Sequence, residues 1–102
     1  MVTAEIVRPY LDVYKSVSSM MRMCIGGFPL SISSENYGTK AEIAAISSHE
    51  LIRGYTMLID LEQKDDRTTR MSAYSFNGPW SGKARTSLLW ANGHQECDPP
   101  LK

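Results

Sequence analysis

The sequence predicts a mainly α-helical chain, with two principal helices over about residues 9–25 and 40–64 and a short third helix or β-hairpin near the C-terminus. Three observations point there. Tyr10, Val13, Tyr14, Val17, Met20, Met21 and Cys24 recur at three- and four-residue steps, the spacing that lines one helix face. Thr39 stands three residues before Glu42, the S/T-x-x-E spacing of a capping box. The run from Thr39 to Lys64 then spreads its apolar residues over an arc of roughly 200° when laid out at helical pitch. An α+β arrangement is the alternative.

In chain order, Met1–Arg8 is a short lead-in and Pro9 suits a first helical turn, where its missing N–H leaves no bond unmade. Gly26-Gly27 stops the first helix, because glycine takes the left-handed conformation that follows a helix end. Residues 28–33, Phe-Pro-Leu-Ser-Ile-Ser, alternate apolar and small side chains and read as a short extended segment, which Pro29 confines to a sheet edge or a connection. Ser33–Gly38 is a turn cluster. The long second helix follows, and the periodicity dies in Glu62–Arg70. Met71–Phe76 reads as helix or strand; Asn77-Gly78-Pro79 is a turn. Ser81 is placed to cap a last helix over Lys83–Ala91 that Asn92-Gly93 ends; the rival pairs Met71–Phe76 with Arg85–Trp90 as a hairpin. His94–Lys102 reads as a flexible tail beyond a single α-rich domain of residues 1–93, since Pro99-Pro100 blocks both helix and ladder.

The formal charge is zero, with 11 basic and 11 acidic residues. That argues against a general polyanion binder and weakens electrostatic defence against self-association. Cys24 and Cys97 stand far apart and make no disulfide framework. The start of the chain lacks the charged and apolar regions of a secretory signal, and no apolar run approaches membrane-spanning length. A cytoplasmic location is the expectation.

No catalytic, cofactor or metal motif is present. Cys24, His49, His94 and Cys97 are soft ligands, but they lack the paired short spacings of a structural zinc site. His94 and Cys97, read as a nucleophile pair, sit in a proline-ended tail with nothing to exclude water or hold an oxyanion. An enzyme is therefore not expected. Arg67, Arg70, Lys83 and Arg85 lie in a stretch free of acids and interleave with Tyr74, Phe76 and Trp80. Basic groups for phosphates and aromatic faces for bases are the ingredients of single-strand binding, so a nucleic-acid binder is the alternative function. Residues 35–66 hold seven acids against three bases, which fits charge complementarity between parts or subunits equally well.

The over-wide arc of the second helix carries the leading reading. A surface helix needs a stripe of little more than about 100°, so the excess asks for a second cover. Gly54 disfavours a helix by roughly 1 kcal/mol relative to alanine, and close approach of a neighbouring backbone is its expected motive. The chain is accordingly expected to be a non-enzymatic protein-interaction module and a homodimer. Its interface is expected at Tyr14, Met20, Met21, Leu51, Gly54, Tyr55, Leu58 and Ile59, aromatic and large apolar groups being the usual anchors. The stripe Tyr10–Cys24, the helix Thr39–Lys64 and the short polar tail together resemble, in layout, the small bacterial antiactivators of LuxR-type transcription regulators. That resemblance implies a homodimer that binds the regulator's ligand-binding domain and blocks its dimerisation, so that the regulator leaves its promoter.

Overall fold

The computed structural model describes residues 2–27, 30–48, 53–75 and 82–97. Its framework is a five-stranded sheet rather than a helix pair. The elements run β1 (Val2–Ile6), α1 (Tyr10–Cys24), β2 (Leu30–Asn36), β3 (Lys40–Ser48), β4 (Arg53–Asp65), β5 (Thr68–Ser75) and α2 (Lys83–Ala91). The spatial order is β1-β5-β4-β3-β2, with every neighbouring pair antiparallel. The chain is mainly β, so the mainly α reading is overturned.

The largest difference lies in the middle of the chain, although the lead-in Met1–Arg8 also holds β1 and the turn cluster Ser33–Gly38 begins inside β2. Thr39–Lys64 holds two strands, β3 and β4, and not one helix. Met57, Ile59 and Leu61 are buried while Leu58, Asp60 and Glu62 alternate with them on the other face. Ala41, Ile43 and Ala45 do the same on β3. This is the period of two that a strand requires. Laid out at helical pitch, such an alternation scatters apolar residues around the circle, which is why the arc looked too wide. Thr39 caps nothing: its carbonyl accepts the Gln63 N–H at 2.8 Å, extending the ladder.

Gly54 also has a different motive. The β3–β4 register slips at Ala45/Ile46, so that Met57 faces Ala45, Tyr55 faces Ile46 and Thr56 is the extra residue of a bulge. The Thr56 hydroxyl bonds the Ala45 carbonyl at 3.2 Å. Gly54 has φ +105°, and a Cβ there would meet nothing within 4 Å. Backbone conformation, and not close approach, selects the glycine.

The helices follow their local signals. α1 runs from an N-cap at Pro9 and buries Tyr10, Val13, Val17, Met20 and Met21. It ends at Cys24 because the Ile25 and Gly26 N–H groups both turn back to the Met21 carbonyl. A side chain at Gly26 would lie 2.7 Å from the Arg22 carbonyl oxygen, so only glycine fits. α2 occupies Lys83–Ala91 with its N-cap at Gly82; Ser81 lies outside the described residues. β5 pairs with β1 and β4, so the alternative hairpin of 71–76 with 85–90 is absent. β2 is an edge strand, and the turn to β3 closes with the Tyr37 N–H on the Lys40 carbonyl.

Both helices pack on one face of the sheet. Ile6, Ile43, Met57, Ile59, Leu61 and Met71 form that face of the core, beneath Val13, Val17, Met21 and a fully buried Trp90. The C-terminal segment is fastened as far as it is described. The Trp90 indole donates to the Glu96 carbonyl at 2.8 Å, and Cys97 is disulfide-bonded to Cys24 at the end of α1. The Cα atoms of the pair are 5.3 Å apart, an ordinary separation for a disulfide. Cys24 is therefore no free thiol. The radius of gyration, 12.8 Å, is that of a close-packed chain of this length. No described helix is long and apolar enough to cross a membrane.

Candidate functional site

The face of the sheet opposite the helices has no described element over it. Its residues are read from register, since strand side chains alternate and cross-strand partners share a face. One row runs Lys40, Glu62, Arg70, Glu5 across β3, β4, β5 and β1. The next runs Glu35, Glu42, Asp60, Ser72, Thr3 from β2 to β1. A third runs Ser33, Ala44, Leu58, Tyr74, and a fourth Ser31, Ile46, Tyr55. The face thus grades from alternating charge at one end to apolar at the other.

The geometry of the charged end is modest and solvent-facing. Lys40 Nζ lies 3.7 Å and Arg70 Nη1 3.9 Å from the Glu62 carboxylate. The hydroxyls of Thr3 and Ser72 are 3.3 Å apart. Tyr37, at the β2–β3 turn, donates its hydroxyl to Glu35. That bond to a carboxylate, then partial desolvation, raises the Tyr37 hydroxyl above its ordinary value. A shallow depression of about 360 Å³ is bounded by Tyr37, Lys40, Glu42, Asp60, Arg70 and Ser72. Glu42 and Asp60 face each other directly, an arrangement that disfavours the isolated strand pair. At the apolar end Tyr55 is 54% exposed, and Leu58 and Ile46 are half-buried.

The interface residues expected from the sequence divide. Tyr55 and Leu58 lie on the open face, with Gly54 at the bulge beside them. Met21 and Ile59 are buried in the core and present no surface, Met20 is buried there apart from a 5% exposed remainder, and Tyr14 is half-buried against the core. Their helical stripe faces the chain's own sheet. Leu51 lies outside the described residues. Ile46, Ala44 and the charged rows are not among the interface residues expected from the sequence, because their grouping depends on strand register.

The basic residues of the alternative function are not brought onto one surface. Arg70 and Tyr74 share the open face, Arg67 sits in the β4–β5 turn, and Lys83 and Arg85 belong to α2 in the other layer. Trp80 and Phe76 lie outside the described residues. Of the soft-ligand set, Cys24 and Cys97 bond each other, and His49 lies outside the described residues. Among the described residues no group of three or more His, Cys, Asp or Glu side chains is placed to hold a metal.

A search of protein-family models finds none that matches the chain, and a search of curated proteins finds no match. The surface itself therefore carries the functional argument.

Proposed function

We propose that the chain is a non-enzymatic protein-interaction module that pairs with a second copy of itself through the open face of the sheet. One observation carries this: the face is self-complementary about a two-fold axis lying parallel to the strands between β4 and β5. Rotation about that axis sets each β4 residue against a β5 residue of the partner copy. Glu62 then faces Arg70, Asp60 faces Ser72, and Leu58 faces Tyr74; further out, Lys40 faces Glu5 and Glu42 faces Thr3. Opposite charges meet, acids meet hydroxyls, and apolar groups meet apolar groups. A two-fold contact uses the same patch twice, so such a match is what a homodimer requires. Stacked sheets with polar margins make a wet interface whose strength falls with salt. The absence of net charge leaves no long-range repulsion between copies.

The likeness to LuxR-type antiactivators loses the long helix that was one of its three carriers, and it supplies no partner for this face. The expected cytoplasmic location rested partly on the lack of a disulfide framework. The Cys24–Cys97 bond removes that reason and favours an oxidising compartment, where such bonds persist. The dispersal of Arg67, Arg70, Lys83 and Arg85 favours neither strand nor duplex binding over pairing of copies.

Sedimentation velocity with paired charge variants tests the proposal. Arg70→Glu sets acid against acid across the axis, and Glu62→Arg sets base against base. Each alone is expected to be monomeric at concentrations where the wild type dimerises. An equimolar mixture is expected to recover the dimer, since both cross-axis pairs then become complementary. A wild type that stays monomeric at high micromolar concentration, or a mixture that stays monomeric, would overturn it.

A further inference from the structure

A second site lies on the helix side of the molecule, independent of the open sheet face. A groove of about 650 Å³ runs between α1 and the segment that follows α2. That volume is within the range that holds a small organic molecule. Lys15, Ser19, Met20 and Met23 line it from α1, Arg8 closes one end, and His94 stands on the opposite wall.

Three features make this more than a crease. First, its walls are fixed. Arg8 Nη1 donates to the Ala91 carbonyl at 2.7 Å and to the Ser16 hydroxyl at 3.2 Å, so both its protons are used and the guanidinium is held. Nη2 and Nε keep the other three donors of that side chain. The buried Thr69 hydroxyl bonds the Arg8 carbonyl at 3.0 Å and fixes its backbone. The far wall is tied by the Trp90–Glu96 bond and by the disulfide from Cys97 back to Cys24, the residue after Met23. Second, its charge has one sign. Arg8 and Lys15 line it, and none of the described residues that line it is acidic, although the chain as a whole is neutral. Third, it offers an accessible apolar group: Met23 is 62% exposed, an unusual state for a methionine, while Met20, only 5% exposed, also lines the groove. Flexible thioether side chains adapt to apolar bodies of varied shape.

We infer that this groove binds a small amphiphilic carboxylate, an anionic head held between Arg8 and Lys15 with an aliphatic body lying along Met20 and Met23. The guanidinium fork matches a carboxylate, and its position is set before the ligand arrives. The Cys24–Cys97 bond keeps the His94 wall in place.

The test is an NMR titration of the ¹⁵N-labelled full chain with sodium decanoate below its micellar range, beside decanol and decyltrimethylammonium. Saturable one-to-one shifts at residues 15–23 and 93–95 are expected for decanoate. Decanol is expected to bind weaker by about tenfold or more, the loss that follows removal of a charge-assisted hydrogen bond, and the cation not at all. Lys15→Glu is expected to weaken decanoate to a similar degree, whereas Lys64→Glu, the same charge change at an exposed position that does not line the groove, leaves it unaltered. Ser19→Glu, a change at an exposed position, is a second variant expected to weaken it. Equal affinity for decanol and decanoate, equal effects of Lys15→Glu and Lys64→Glu, or shifts that never saturate would overturn the inference. None of these outcomes bears on the pairing of copies, since no groove residue lies on the open face.

Discussion

The Cys24–Cys97 bond closes a loop with a sequence separation of 73 residues, joining the end of α1 to the segment after α2. Breaking it is the perturbation whose size is best constrained. If the bond acts on the unfolded chain, closing a loop of that length is worth about 4 kcal/mol on the loop-entropy relation, and native disulfides commonly deliver about 2–4. For a domain of this size that corresponds to a fall in Tm of roughly 10–30 °C. Cys97→Ala is the cleaner variant, because Cys24 packs against the core and its truncation adds lost contacts. Urea unfolding at equilibrium, followed by circular dichroism, reads both stability and its denaturant slope. The slope is expected to rise in Cys97→Ala, since an unlinked unfolded chain exposes more surface. The wild type in reductant is expected to match the variant. A change in stability below about 1 kcal/mol, or a full loss with no change in slope, would refute the unfolded-chain argument; the second result would place the effect in native packing. Two titratable thiols in the purified, unreduced protein would refute the bond itself.

Three other expectations follow from particular contacts. Gly54→Ala forces a side chain into φ +105° at the β4 bulge and is expected to destabilise by about 1 kcal/mol or more, measured by the same unfolding assay; an unchanged midpoint would show that the bulge tolerates a Cβ. Met57→Ala empties a fully buried site between the sheet and the helices and is expected to lose about 2–5 kcal/mol, whereas a helical reading of 40–64 would place Met57 beside the polar face, where truncation has little effect. The Asp65 carboxylate accepts the Arg67 backbone N–H at 2.8 Å, and that bond holds its pKa below the usual carboxylate value. Its contribution to stability is therefore present above the unfolded-state pKa and lost as pH falls through the lower folded-state value. Asp65→Asn is expected to flatten the stability profile in that acid window, and an NMR titration placing Asp65 at or above the ordinary value would contradict it.

α1 was legible because its signals are local, and α2 is one of the two readings that the C-terminal stretch allows. The steps among Tyr10, Val13, Val17 and Met21 are helical whatever surrounds them, Gly26 is required by its own preceding turn, and Lys83–Ala91 lies between turn-forming residues. β3 and β4 were not legible for an equally physical reason. Ala41, Ala44 and Ala45 are good helix formers, Thr39 and Glu42 imitate a cap, and the bulge at Thr56 breaks the alternation before Met57 restores it. Strand pairing is decided by partners elsewhere in the chain, and here those partners override local propensity. The interface residues divided along the same line. Tyr55 and Leu58 were recognisable as large side chains, but which residues share their face follows from register.

Sequence alone determined the first helix, from the local spacing of its apolar residues, and the electrical balance of the chain. Tertiary structure decided that the apolar residues of 40–64 belong to two strands, that Glu62 and Arg70 lie side by side on a face without a described cover, and that two cysteines 73 residues apart meet. Helical order is settled within a few turns of chain, whereas a sheet face, a charge row and a disulfide exist only once distant segments have been brought together.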